Sequence, residues 1–360
     1  MAQRIWNFNP GPATLPLSVL EKAKKDIPNY NNTGMSVMEI SHRSEDYKKI
    51  HSEAKSLLKS LFNIPDDYNI LFLQGGASLQ FAMIPMNLLS QGSSADYLIT
   101  GRWSKKAITE ANIIAEGKIA GSSEDKNFSY IPKNLDLHSN AEYAHLTSNN
   151  TIAGTQWHTF PDTGNVPLIA DMSSDILSRK LDVGKFGLIY AGAQKNLGPA
   201  GVTIVIIRKD LVEKARNDIP TLLKYATHVE KDSAFNTPPT FAIYMVKLVL
   251  EWIEDQGGLE KIEQTNREKA ETLYTTMDNN SDFYKGAVEK EDRSLMNITL
   301  RLPSEELEKK FIAEGAKAGF GGLKGHRSVG GVRISIYNAM PLKGVKELNK
   351  FMINFAKKNG

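Results

Sequence analysis

The stretch Phe186–Asp210, FGLIYAGAQKNLGPAGVTIVIIRKD, decides how this chain is built. Two runs, FGLIYAGA and GVTIVIIR, are apolar at successive positions rather than at alternate ones, as strands covered on both faces must be. The turn between them, AGAQKNLGPAG, is short, so the two strands are expected to be antiparallel neighbours. A single long cation, Lys195, stands in that turn among small residues.

Working outward, the same alternation of apolar run and helical pattern repeats on both sides. NILFLQGG (Asn69–Gly76) reads as a strand ending in a glycine turn, and ASLQFAMIPMNLL follows at helical spacing. ADYLITGRW reads as a strand and SKKAITEANIIAEG as a helix, while EYAHLTSNN and VPLIADMSSD are further strands. The pattern predicts an α/β fold with a mostly parallel sheet. Near residue 241 it changes. FAIYMVKLVLEWIEDQGG is a long helix closed by two glycines, and LEKIEQTNREKAETLYTTM continues with Leu259, Ile262, Leu273 and Met277 on one stripe. Strand (LMNITLRL), helix, strand (GGVRISIY) and helix then predict a smaller α+β domain. The expected division is 16–256 for the large domain and 257–360 for the small one, with residues 1–15 packing against the latter.

The bulk numbers fit. At 360 residues the chain is long for one core. Lys plus Arg is 44 and Asp plus Glu is 41, a balance that supports neither a nucleic-acid nor a membrane partner. There is no cysteine, which excludes disulfides, cysteine metal sites and a cysteine nucleophile. No stretch approaches a membrane span of roughly 18 apolar residues, and MAQRIWNFNPGPATLP has no signal-peptide layout. A cytoplasmic enzyme with no metal site is expected.

Ligands of open α/β sheets gather at the carboxyl ends of the strands. Those ends carry Gly75, Gly76, Ala77 and Ser78; Gly101, Arg102 and Trp103; Asn150 and Thr151; Asp171; and Gln194 with Lys195. The GGAS turn would start a helix with bare N–H groups, an anion cradle, or it is a plain tight turn with Ser78 as a cap. It is not GxGxxG, and no Walker A motif occurs, so nicotinamide and nucleoside-triphosphate readings lose their main support. Asp171 is a helix cap or a partner for a cationic ring nitrogen. Lys195 is a solvated turn lysine or the amine of imine chemistry with a carbonyl cofactor. Trp103 is a core aromatic or a stacking face. Together the three, with the anion cradle, are the parts that a pyridoxal 5'-phosphate site demands.

Nine stretches, in order, carry a resemblance. They are NFNPGPATLP, SVMEISHRS, LFLQGGASLQF, GRWS, LTSNNTIAGTQW, ADMSSDILSR, YAGAQKNLGPAG, FNTPPTFAIY and GHRSVGGVRISIYNA. With them the chain resembles, over nearly its full length, the phosphoserine aminotransferase family of the class V aminotransferase group, fold-type-I pyridoxal-phosphate enzymes. The resemblance implies a seven-stranded sheet in the large domain. It implies that Lys195 carries the cofactor, that Asp171 pairs with the ring nitrogen, and that Trp103 stacks on the ring. Thr151 would lie by the 3-hydroxyl, and Ala77, Ser78 and Gln194 by the phosphate. Asn236 and Thr237 would reach the cofactor of a neighbouring subunit, making a homodimer with shared sites. Arg333 would take the α-carboxylate, leaving His42, Arg43, His326 and Arg327 for the distal anion of L-glutamate or of a phosphorylated 2-oxo acid. The implied reaction moves an amino group from glutamate to 3-phosphohydroxypyruvate by ping-pong kinetics, in L-serine synthesis; some members also handle 4-phosphohydroxy-L-threonine in pyridoxine synthesis. Two departures are visible: GGAS ends in serine where some members carry arginine, and Pro10 stands where a small residue is common. An alanine–glyoxylate or serine-type aminotransferase is the competing reading, opposed by the two His-Arg pairs. A silent binding protein of this fold is opposed by Lys195 and Asp171, and cysteine desulfurase by the absence of cysteine.

Overall fold

The structure, a computed structural model, describes residues 4–360; the expected packing of residues 1–3 lies outside them. Seven strands form one sheet: β1 (Tyr68–Leu73), β2 (Ser94–Ile99), β3 (Glu116–Ser122), β4 (Ala144–Thr147), β5 (Leu168–Asp171), β6 (Leu188–Gly192) and β7 (Thr203–Arg208). Their order is β1-β7-β6-β5-β4-β2-β3. Only β7 runs against its neighbours, pairing antiparallel with both β6 and β1. The expected antiparallel pair in a mostly parallel sheet is therefore found, closed by Ala193 N donating to Val202 O at 3.1 Å.

The strands are apolar throughout because two different cores take alternate residues. Ile70, Phe72, Ala170, Ile189, Ala191, Ile204 and Ile206 face one cluster, roofed by the helices Glu45–Phe62 and Thr240–Asp255. Leu71, Leu73, Ile169, Leu188, Tyr190, Val205 and Ile207 face the other, on the side of the helices Gly76–Leu88 and Arg102–Ile114. Burying the side of one such residue contributes about 1.5–3 kcal/mol.

One strand escaped the sequence reading. The expected helix SKKAITEANIIAEG runs over only the first two residues of β3, EGKIAGS, and the rest carries no expected element, whereas the helix stops at Ile114. β3 is an edge strand with two glycines and an exposed Ile119, so it lacks the doubly apolar run that marked the others.

The Thr240–Asp255 helix ends at two residues in left-handed conformation, Gly257 (φ +95°) and Gly258 (φ +71°), which turn the chain into the long helix Gly258–Asn279. That helix serves two cores: Leu259 and Ile262 join the first cluster, whereas Ala270, Leu273 and Met277 join a third. The third cluster combines Phe8, the helices Glu305–Lys317 and Leu342–Asn359, and two antiparallel strands, β8 (Asn297–Leu300) and β9 (Val332–Ser335). Ile298, Leu300, Val332 and Ile334 point into it. By the two-residue period, Asn297, Thr299, Arg333 and Ser335 face the opposite way, toward the carboxyl edge of the large sheet. Thr299 Oγ1 makes that contact by donating to Ala153 O at 2.9 Å.

The segment before residue 14 ties these parts together. Trp6–Asn7 pairs parallel with Phe320–Gly321, Ser335 N donates to Phe8 O at 3.3 Å, and Ala13 N donates to Gln194 O at 2.8 Å.

Candidate active site

Because six of the seven strands are mutually parallel, their carboxyl ends share one edge, and the loops named above converge there. The loop after β6 is tightened by Leu197 N and Gly198 N, which both donate to Ala193 O at 3.0 and 2.9 Å. That holds Lys195 at its tip. A side chain on Gly11 (φ +136°) would lie 3.2 Å from Lys195 Cγ, so the N-terminal segment lies against the lysine stem where only glycine fits comfortably. Lys195 Nζ donates to Thr151 Oγ1 at 2.8 Å and lies 5.9 Å from the centre of the Trp103 ring. Burial pushes the Lys195 amine down to about 8; Asp171 opposes that and Arg333 reinforces it.

Asp171 is the last residue of β5 and is buried. Its Oδ1 accepts from Ser173 N at 2.9 Å. Burial raises its carboxyl above the usual carboxylate range, against the hydrogen bonds from Ser173 and the charge of Lys195. A second layer fixes the backbone here. Ser148 donates through N and Oγ to Asp171 O, each at 3.0 Å, and Gln156 Nε2 donates to Asp175 Oδ2 at 3.1 Å. A buried carboxylate with no cation in contact is costly unless a cationic partner comes to it.

The anion cradle is present as backbone. Gly75 and Gly76 have φ of +87° and +67°, and the Gly76–Leu88 helix starts with no side-chain cap. A Cβ added to Gly192 would stand 3.2 Å from Gln194 Oε1 and 3.7 Å from Ala77 N. The space beside Ala77 N thus exists because β6 ends in glycine. Ser78 is exposed at the first turn of the helix.

Arg333 is buried, and its Nε has no hydrogen-bond partner. It has no ion pair among the described residues. Burial holds its guanidinium below the ordinary range. Trp103 Nε1 is likewise buried and unpartnered. An amine, a buried carboxylate, a bare helix start and an unpaired buried guanidinium on one edge fit a ligand with an aldehyde, a cationic ring nitrogen and a phosphate, next to a carboxylate-bearing substrate. The residues present therefore suit pyridoxal phosphate: Lys195, Asp171, Trp103, Thr151, Ala77, Ser78 and Gln194 would hold it.

The remaining expected residues are placed differently. His326 and Arg327 lie in the turn before β9, with His326 Nδ1 2.7 Å from Ser328 Oγ. His42 and Arg43 line a separate cavity of about 640 Å³ with Tyr47, His51 and Asp232. Asn236 and Thr237 are exposed beyond the end of β1, where Gln74 Nε2 donates to Thr237 O at 3.0 Å. Among the described residues His42, Arg43, Asn236 and Thr237 make no hydrogen bond or ion pair with Lys195.

Sequence reading missed a chain of amides behind the site. Asn149 Nδ2 donates to Asn297 Oδ1 at 2.8 Å, and Asn297 Nδ2 donates to Ser335 Oγ at 3.0 Å and to Tyr337 Oη at 3.2 Å. Tyr337 Oη donates to Pro10 O at 2.8 Å, and Asn338 N donates to Asn196 Oδ1 at 3.0 Å, one residue beyond Lys195. The available signal was the polar residue at every second position of NITL and VRIS, which marks a strand face turned toward something polar.

The chain is similar to known proteins over nearly its whole length. The family model described as aminotransferase class-V matches residues 5–348. A phosphoserine aminotransferase of Desulfosudis oleivorans is 57% identical, with 100% of each chain covered. A solved phosphoserine aminotransferase from Bacillus circulans subsp. alkalophilus superposes with a TM-score of 0.98 at 54% identity, again covering 100% of both. The pyridoxal-phosphate-bound phosphoserine aminotransferase of Trichomonas vaginalis superposes with a TM-score of 0.92 at 39% identity, covering 97% of this chain and 100% of that one. The chain belongs to the class-V aminotransferases and, within them, to the phosphoserine aminotransferase family. It is a pyridoxal-phosphate-dependent transaminase.

Proposed function

We propose that this enzyme transfers the amino group of L-glutamate to 3-phosphohydroxypyruvate, giving O-phospho-L-serine and 2-oxoglutarate, the amino step of L-serine synthesis. The observation that carries the substrate class is Arg333, a buried guanidinium with no anion of its own beside a second cationic group at His326–Arg327. Two anionic ends on one substrate answer two cationic receptors.

Pyridoxal phosphate, when bound, supplies an electron-withdrawing ring for the electrons released at the substrate α-carbon. The protein's part is to hold and aim. Asp171 would face the ring nitrogen and favour its cationic form. The Ala77 N–H and its helix start would receive the phosphate. Thr151 holds Lys195 Nζ in place, and Lys195, with its basicity lowered, moves the proton at the α-carbon. Arg333 would grip the α-carboxylate and Trp103 would stack on the ring.

The active form in this reading is a cytoplasmic homodimer in which the partner chain contributes His42, Arg43, Asn236 and Thr237 to the site. The exposure of Arg43, Asn236 and Thr237, and the absence among the described residues of any hydrogen bond or ion pair between these four residues and Lys195 within one chain, support it. The test is a screen of keto acceptors with and without a phosphate, 4-phosphohydroxythreonine included as a donor arm. We expect kcat/KM for the phosphorylated acceptor to exceed that for pyruvate by at least about 10²-fold, as when a buried charge loses its partner. Equal turnover of both would sink the assignment.

A further inference from the structure

The helix that begins beside Trp103 carries three cations in its first turn and a half: Arg102, Lys105 and Lys106. Lys105 is already paired, to Glu124. Arg102 and Lys106 have no hydrogen-bond or ion-pair partner for their side chains among the described residues. Lys106 Nζ lies 4.9 Å from the centre of the Trp103 ring, the same ring that Lys195 approaches.

A cavity of about 470 Å³ opens against this turn, lined among others by Arg102, Trp103, Lys106, Asn150 and Ser328. No Asp or Glu lines it. It therefore connects the start of this helix to the turn carrying His326 and Arg327. The His326 imidazole is held below its ordinary value by burial and then by the charges of Arg333, Arg102, Arg327 and Lys106. His326 thus feels four cations, of which Arg102 and Lys106 line the opening, while Ser328 and Val329 of its own turn line the facing side. Like charges so arranged repel, and an anion of high charge relieves them.

We propose that Arg102 and Lys106 receive the distal phosphate of the substrate and hold it against His326 and Arg327, so that they set the preference for a phosphate over a γ-carboxylate. The proposal rests on the reading that the acceptor is phosphorylated. A phosphate monoester brings close to two charges and three acceptor oxygens at neutral pH, whereas a carboxylate brings one charge and two oxygens. His326 and Arg327, with the partner's His42 and Arg43 in the reading above, serve either anion. Two further unpaired cations at the mouth matter most for the larger one, and they also draw it in from solution.

The experiment uses the holoenzyme and the variants Arg102→Gln, Lys106→Gln and the double variant, with Lys105→Gln as the matched control. Each single change removes one positive charge from the same helix, but Lys105 is already satisfied by Glu124. Measured separately are kcat/KM for the phosphorylated acceptor and for 2-oxoglutarate, each across a salt series. We expect about a 10-fold loss per charge for the phosphorylated acceptor, under about 3-fold for 2-oxoglutarate, and a flatter salt dependence for the former. Lys105→Gln should lose under about 3-fold on both. Equal losses on the two acceptors, or a Lys105→Gln loss matching that of Lys106→Gln, would overturn the proposal while leaving the reaction assignment intact. A wild-type enzyme with no preference for the phosphorylated acceptor would remove the assignment itself.

Discussion

Lys195 shows how a residue's chemistry is set by what surrounds it. Its amine sits at about 8, lowered chiefly by burial, so at neutral pH an appreciable share is the uncharged nucleophile. In the cofactor-free enzyme the rate of modification of Lys195 by trinitrobenzenesulfonate should rise with a midpoint near pH 8, read by peptide mapping against Lys195→Ala. A midpoint near that of ordinary lysine, about 10.4, would contradict the environment described here. Asp171 raises the Lys195 value, so Asp171→Asn should move that midpoint to lower pH, not higher. The same change should cut transamination by about 10²-fold or more, since it removes one preorganised charge partner. Lys195 and Asp171 stand out in the sequence because Asp171 ends a buried strand and Lys195 follows another within three residues, where long polar side chains are conspicuous. Tyr337, Asn297 and Asn149 do not, because their meaning arises only from contacts between residues 40 and 148 positions apart.

At the level of elements, the site is a meeting of strand ends and a helix start, and its tolerances are those of backbone packing. β6 ends in Gly192, whose φ is not of the left-handed kind, so alanine there meets no backbone strain. What it meets is the space beside Ala77 N and Gln194 Oε1. Gly192→Ala should therefore fold normally but weaken pyridoxal-phosphate binding by about 10-fold or more, a loss of at least about 1.4 kcal/mol. Far-ultraviolet circular dichroism and cofactor titration would check it; wild-type affinity would show that the cradle is not where we place it. The central strands were legible because two cores make them apolar at every position. β3 was not, since an edge strand with one half-exposed face carries almost no hydrophobic signal. β8 and β9 were found as strands, but which face turned to the site needed the third cluster to be known.

Across the whole molecule, one buried amine ties the Gly258–Asn279 helix to the turn that follows β9. Lys269 is fully buried on the Gly258–Asn279 helix, and its Nζ donates to Ile336 O, Tyr337 O and Met340 O at 2.9, 2.8 and 3.2 Å. Asn266, one turn earlier, donates to Asn338 Oδ1 at 2.8 Å. Together they hold the turn that carries Tyr337 and Asn338 toward Lys195. Burial pushes the Lys269 amine down to about 7. Between about pH 7 and the ordinary lysine value of about 10.4, the unfolded chain binds more protons at this position than the folded one, so stability attributable to Lys269 rises with pH over that window. The urea midpoint of the wild type should accordingly gain on that of Lys269→Met between pH 7 and pH 9. A difference that stays flat or shrinks would mean that Lys269 keeps its charge throughout.

The segment from Trp6 to Ala13 has a consequence for the order of events during synthesis. Its partners are Phe320–Gly321, Ser335 and Tyr337 on one side and Gln194 on the other. The wall that Gly11 forms against Lys195 cannot settle until residues more than three hundred positions later have been made and docked. Sheet, lysine and anion cradle can all assemble earlier from residues 68–208. Capture of the cofactor in its final, fully walled pocket is therefore a post-translational event, and a ribosome-held chain truncated before residue 320 should bind it only loosely.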